Sequence, residues 1–197
     1  MTTEVEGDGE YGWFACPQCC ELFEYDDELD EHMNDNRSHM SRIDSHLYVG
    51  AAWNASRLAE LKCSNVGCVI SVAEEMPTPL IALPPPIRFI HYPLYDNLHE
   101  FLLPKAIRAA YDIKHQHDNG VVTLIHCAQG KSRSVSVAVL YCMIQFQWTY
   151  EEALRHLVSK RQVAHPNINY AEQLTALNPL RKLEWNGFVH IAEYLGL

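Results

Sequence analysis

The stretch HCAQGKSRS, residues 126–134, decides the reading of this chain because it follows directly on VVTLI at 121–125. The run VVTLI is β-branched and apolar throughout, the pattern of a strand buried on both faces. SVSVAVLYCMI, 134–144, then reads as a helix, so residues 128–133 form a tight loop ending at a helix N-terminus. Successive backbone N–H groups in such a loop converge, and the helix dipole adds to them, which makes an anion site. Gly130 lets the backbone approach closely, without a Cβ in the way. Arg133 can offer a planar fork to two oxygens of a phosphate group, which a lysine cannot.

The same positive field favours the thiolate of Cys127 over the thiol. A thiolate facing a bound dianion supports nucleophilic phosphoryl transfer through a covalent phosphocysteine. A bare cysteine and arginine at this spacing also occur by chance, so the surrounding pattern matters. LYVG (47–50), CVISVA (68–73) and IRFIHYPL (87–94) read as strands, and SRLAELKC (56–63) as a helix between the first two. PTPLIALPPP, 77–86, carries five prolines and must be irregular. A helix over 104–118 has Pro104 in its first turn and Gly120 beyond its end. Further helices are expected over 132–146, 150–161, 169–177 and 187–195. This alternation predicts an α/β domain with a central, mostly parallel sheet flanked by helices, over about 41–180. Such sheets place their sites at the carboxyl ends of strands.

At these residues the chain resembles the dual-specificity branch of the cysteine-based protein tyrosine phosphatase superfamily. The resemblance covers most of 41–178. It implies that Cys127 is the nucleophile, that Arg133 binds the phosphoryl group, and that Ser134 assists the departing thiolate. His126 would orient the loop formed by Ala128, Gln129, Gly130, Lys131 and Ser132. Gln129 stands where many members have alanine. The family's general acid, an aspartate roughly thirty residues upstream, corresponds to Asp96 in HYPLYDN (91–97). An alkoxide or phenolate leaving group needs that proton. Glu100 is a weaker rival, and Asp112 and Asp118 read as solvated helix faces. Pro166, Asn167, Tyr170, Gln173 and Leu174 match a downstream family pattern read as scaffold under the loop.

The chain has a formal net charge of −10, unevenly spread. Residues 1–40 hold twelve acidic side chains and one basic one, which leaves the remainder at +1. The asymmetry points to two units. Residues 1–12 read as a disordered acidic tail and 181–197 as a C-terminal helical extension. Residues 13–40 resemble a C2H2 zinc finger, with Cys16, Cys19, His32 and His39 as ligands to a structural zinc. Phe14, Phe23 and Leu29 supply its small core. The interval between the histidines, six residues, exceeds the usual three to five. Cys20 is a rival or exchange ligand. From Glu21 to Glu31 there are seven acidic residues and no basic one, so the surface repels nucleic acid and suits protein docking.

No apolar run is long enough to span a bilayer, and the acidic N-terminus is not a secretory signal. The cytoplasm or nucleus is the expected location, with no membrane partner. Seven cysteines there suggest metal binding, catalysis or burial rather than a disulfide framework. Cys142, Cys63 and Cys68 read as buried; among relatives of this fold a neighbouring cysteine can trap the oxidised nucleophile, a role open to Cys63 or Cys68. The leading reading is a phosphatase of phosphotyrosine, phosphoserine and phosphothreonine in proteins, with no cofactor for catalysis. The alternatives are a phosphoinositide or RNA 5′-phosphate phosphatase, an inactive phosphopeptide-binding module, or a rhodanese-like sulfur carrier.

Overall fold

The computed structural model describes residues 4–5, 13–34, 39–180 and 184–194. In chain order the strands are β1 (Glu4–Val5), β2 (Trp13–Ala15), β3 (Leu22–Phe23), β4 (Ser41–Arg42), β5 (Leu47–Ala51), β6 (Val66–Ser71), β7 (Arg88–His91) and β8 (Val122–Cys127). The helices are α1 (Asp26–Asn34), α2 (Ala52–Ser56), α3 (Leu58–Cys63), α4 (Leu103–Asp118), α5 (Arg133–Phe146), α6 (Tyr150–Lys160), α7 (Ile168–Thr175) and α8 (Trp185–Tyr194).

The main sheet has the order β4-β5-β8-β6-β7. It is parallel except for β4, which pairs antiparallel with β5. β8 is flanked by β5 and β6 and covered on both faces, which is why its sequence is apolar without alternation. Side chains still alternate between two cores. Val122 and Leu124 face a cluster with Met40, Ala55 and Leu61, on the side of α2 and α3. Ile125 and Cys127 face the larger cluster built by α4 to α8. α5 lies within that cluster, and every residue from Arg133 to Ile144 is buried, as an apolar helix under other helices must be.

The mostly parallel sheet between helices agrees with the sequence reading. Several elements differ in detail. The helix expected over 56–63 forms from Leu58 as α3, since Arg57 before it is extended with φ −93° and ψ 91°; α2, ahead of Arg57, was not expected. β4 carried no signal, since two residues have no periodicity to read. α6 begins where the sequence suggests. Thr149 accepts from the Glu152 amide at 3.2 Å, and the Glu152 carboxylate accepts from the Thr149 amide at 2.8 Å, a reciprocal cap.

The N-terminal unit has a hairpin of β2 and β3 packed on α1, with Phe14, Phe23, Leu29 and Met33 around Cys16 and Cys19. Most of the stretch 1–12, expected to be disordered, lies outside the described residues. Glu4–Val5 departs from that expectation: its backbone pairs antiparallel with the free edge of β2. In the segment 181–197, residues 181–183 and 195–197 also lie outside the described residues.

Candidate active site

The loop expected to hold an anion runs from the end of β8 to the start of α5. Its carbonyls are fastened to the scaffold one after another. Ala128 O accepts from the Ala52 amide at 3.1 Å, and Lys131 O from the His165 amide at 2.8 Å. Gly130 O accepts from Arg161 Nε at 2.6 Å, and Gln129 O from Arg161 Nη2 at 3.4 Å. Ser132 O accepts from the Ser136 amide at 2.8 Å. In a trans peptide the C=O and the next N–H point opposite ways. Five carbonyls tied outward therefore turn the amides of residues 129–133 to the concave side, where an anion would sit.

Gly130 has a reason beyond ligand access. Its φ is +63°, and a Cβ there would lie 2.4 Å from the Gly50 carbonyl oxygen. The loop is pressed against β5, and only glycine fits.

Cys127 Sγ lies 3.4 Å from Ser134 Oγ, so the expected partner is in hydrogen-bond range of the thiol. Asp96, on the loop after β7, reaches the same place. Its Oδ1 accepts from Ser132 Oγ and from Asn167 Nδ2, each at 2.8 Å, and its Oδ2 lies 3.7 Å from Arg133 Nε. Tyr170 donates its hydroxyl to the carbonyl of neighbouring Tyr95. The Asn167–Leu174 segment thus orients the acid loop as well as supporting the anion loop. The rival acids are occupied elsewhere. Glu100 pairs with Lys105 at 2.8 Å and Asp118 with Lys114. Asp112 is not a solvated face as expected: it accepts from the Tyr92 hydroxyl at 2.6 Å. Cys127, Arg133, Ser132 and Asp96 line a pocket of about 450 Å³ with Ala128, Gln129, Lys131, His165 and Asn167.

Arg133 is 6% exposed and forms a bidentate ion pair with Glu75, at 2.6 and 2.7 Å. The guanidinium holds the Glu75 carboxyl below the usual carboxylate range. His126 is buried, and desolvation lowers its pKa to about 4, so it is neutral near pH 7. Sequence reasoning missed Glu75, Arg161, His165 and the Asn167–Asp96 contact. Only Asn167 carried a signal, through its matched pattern.

Three cysteine expectations need correction. Cys63 is exposed and bonded to Cys20, so it is neither buried nor available to trap Cys127. Cys20, held in that disulfide, is not an exchange ligand. Cys68 is buried, but it pairs in register with Thr123, four residues before Cys127 on β8. At ~3.3 Å per residue that is about 13 Å, beyond the span of a disulfide.

In the N-terminal unit Cys16 Sγ is 3.1 Å from His39 Nε2, and Cys19 Sγ is 3.2 Å from His32 Nε2. One ligand atom from each of the four lies within 4.8 Å of the others. A tetrahedral zinc with bonds of ~2.0–2.3 Å needs ligand atoms about 3.4–3.8 Å apart, so the four residues fit the ion after modest opening. The long interval between the histidines does not keep His39 away.

Residues 47–179 match the family described as dual specificity phosphatase, catalytic domain. The chain belongs to the dual specificity phosphatase family. The phosphatase is 32% identical to protein phosphatase Slingshot homolog 3 of Mus musculus, over 79% of this chain and 24% of that protein. It is 32% identical to protein phosphatase Slingshot of Drosophila melanogaster, over 68% of this chain and 12% of that protein. The chain thus spans a quarter or less of the length of these curated relatives. Human DUSP28 superposes with a TM-score of 0.67 at 24% identity, covering 73% of this chain and 95% of that one. DUSP15 superposes with a TM-score of 0.69 at 22% identity, covering 79% and 96%. The match spans β5 to the segment after α7, and so takes in the loop from Cys127 to Arg133 and Asp96.

Proposed function

We propose that the phosphatase works through Cys127, Arg133, Ser134 and Asp96, with the loop of His126 to Ser132 holding the phosphoryl group. The carrying observation is the meeting of Cys127, Arg133 and Asp96 in one pocket, with Ser134 3.4 Å from the thiol. The Cys127 thiolate attacks phosphorus as the ester P–O bond breaks, and Asp96 gives its proton to the departing oxygen. Asp96, now a carboxylate, takes a proton from water. That water attacks phosphorus and the P–S bond breaks, with Ser134 Oγ–H donating to the sulfur as it regains charge. Phosphate and alcohol or phenol are the products. Every group in this scheme is protein, so catalysis calls on no cofactor.

The test uses p-nitrophenyl phosphate, whose leaving group departs without a proton. Cys127→Ser abolishes turnover. Asp96→Asn slows the second step, so mass spectrometry after acid quench finds a phosphoryl group on Cys127. Undiminished turnover by Cys127→Ser, or an adduct on another residue, would overturn the assignment.

We further propose that Cys16, Cys19, His32 and His39 hold a structural zinc that fixes the small N-terminal core, supported by the clustering of their ligand atoms. The exposed acidic surface of α1 and its approach suits docking of a protein with basic side chains and disfavours nucleic acid. Phosphoproteins are the substrates, and the cytoplasm or nucleus is the proposed location, with no membrane partner. Among the described residues no helix is long and apolar enough to cross a membrane.

A further inference from the structure

Arginine carries five N–H donors in a rigid plane, so its engaged and free edges can be counted. In Arg133, Nη1 donates to Glu75 Oε2 at 2.6 Å and to Leu94 O at 3.2 Å, and Nη2 donates to Glu75 Oε1 at 2.7 Å. These three bonds consume the end of the guanidinium. The second N–H of Nη2 and the N–H of Nε remain. Nε is buried without a hydrogen-bond partner and sits 3.7 Å from Asp96 Oδ2, on the pocket side. By covalent geometry the two remaining N–H bonds are parallel and share one edge. They form a fork spaced for two oxygens of one phosphoryl group.

We propose that Glu75 is a positioning residue for phosphoryl binding: it grips the outer edge of the Arg133 guanidinium so that the inner fork stands ready for the substrate. This rests on reading Arg133 as the phosphate-binding arginine. A flexible arginine loses rotamer entropy when it captures an anion. Here Glu75 imposes that order beforehand. Glu75 reaches the site from the loop after β6, 58 residues away in sequence. It therefore acts across the site rather than within the anion loop. Its carboxylate is also a negative charge near an anion site, so a competing role as a plug makes the opposite prediction.

The experiment uses the full chain and two probes, inorganic phosphate as a competitive inhibitor and p-nitrophenyl phosphate as substrate. If Glu75 positions the fork, Glu75→Ala raises the phosphate inhibition constant and the KM about tenfold, the worth of one charge-assisted bond. Glu75→Gln, which keeps one acceptor, gives a smaller rise of roughly threefold by the same scale. In an Arg133→Lys background the fork is gone, and Glu75→Ala adds less than about twofold, because coupled residues are non-additive. A purely structural role would cost the same in both backgrounds. The proposal is overturned if Glu75→Ala binds phosphate more tightly or unchanged, or if its penalty persists beside Arg133→Lys. A wild-type chain that binds no phosphate removes the active-site reading and this proposal together. A wild-type chain that binds phosphate, with Glu75 variants that bind it equally, removes this proposal alone.

Discussion

Arg161 is 1% exposed and holds two carbonyls of the anion loop from behind, so its removal should be felt at a site its side chain does not line. In Arg161→Met the bond to Gly130 O, 2.6 Å, is lost outright. A bond from a charged donor of this kind is worth ~1.5–3 kcal/mol. The contacts to Gln129 O, His39 O and Ser41 Oγ are long, 3.3–3.4 Å, and together add about 1 kcal/mol. Against this, methionine fills most of the volume and removes a buried cation, which returns about 1 kcal/mol. The net loss is about 1.5–3 kcal/mol, or about 3–12 °C in Tm for a chain of this size. Calorimetry reads the stability, and kcat/KM on p-nitrophenyl phosphate reads the loop. With Gly130 O released, its peptide can turn and the amide of Lys131 leaves the concave side. We expect kcat/KM to fall about tenfold or more. A Tm within about 2 °C of wild type together with unchanged kcat/KM would refute the view that outward-tied carbonyls hold the anion loop in shape.

Gly130→Ala meets the Gly50 carbonyl at 2.4 Å and a φ of +63°; we expect ~2–4 kcal/mol of lost stability and a displaced loop, visible as lower Tm and weaker phosphate inhibition. His126 gives a pH signature. Its pKa is 6.5 when free and about 4 in the fold, so between those values the unfolded chain binds a proton that the folded chain refuses. Stability contributed by the neutral ring is therefore complete above about pH 6.5 and drains away as pH falls toward 4, by about 3 kcal/mol in all. His126→Asn should flatten that slope in urea titrations run across the window, and an unchanged slope would contradict it. Chelation of the purified chain should release one zinc, read by a colorimetric metal indicator, and lower the Tm; Cys16→Ser should purify without the metal.

Legibility in the sequence followed the range of the interactions. β8 could be read because a doubly covered strand leaves an unbroken apolar run. Cys127, Arg133 and Ser134 sit within one loop and one helical turn, so their spacing carries the geometry. Asp96 needed the family pattern, and the structure then brought it to the pocket through Ser132 and Asn167. Glu75 and Arg161 left no trace. Each is one charged residue among many, and its meaning lies in a partner 58 or 31 residues away. α2 and the break at Arg57 were hidden for another reason: a helix of five residues is too short to show a period, and a single extended residue leaves no mark in the sequence. Cys63 was misread because its local sequence is helical and apolar, while its partner Cys20 belongs to the other unit.

Among the described residues the small N-terminal unit is fastened to the phosphatase domain at several points. The Cys20–Cys63 bond lies at the end of α3, the Met40 amide donates to Glu60 Oε1 at 2.7 Å, and Arg161 donates to the His39 carbonyl at 3.4 Å. Such fastenings remove the swivel that a single linker would leave. A protein gripped by the acidic face of that unit is then set at one distance and one angle from Cys127. If the unit docks a protein as proposed above, these attachments would act as a ruler, favouring phosphorylated side chains at the matching span from the gripped surface over those nearer or farther, whatever their local sequence.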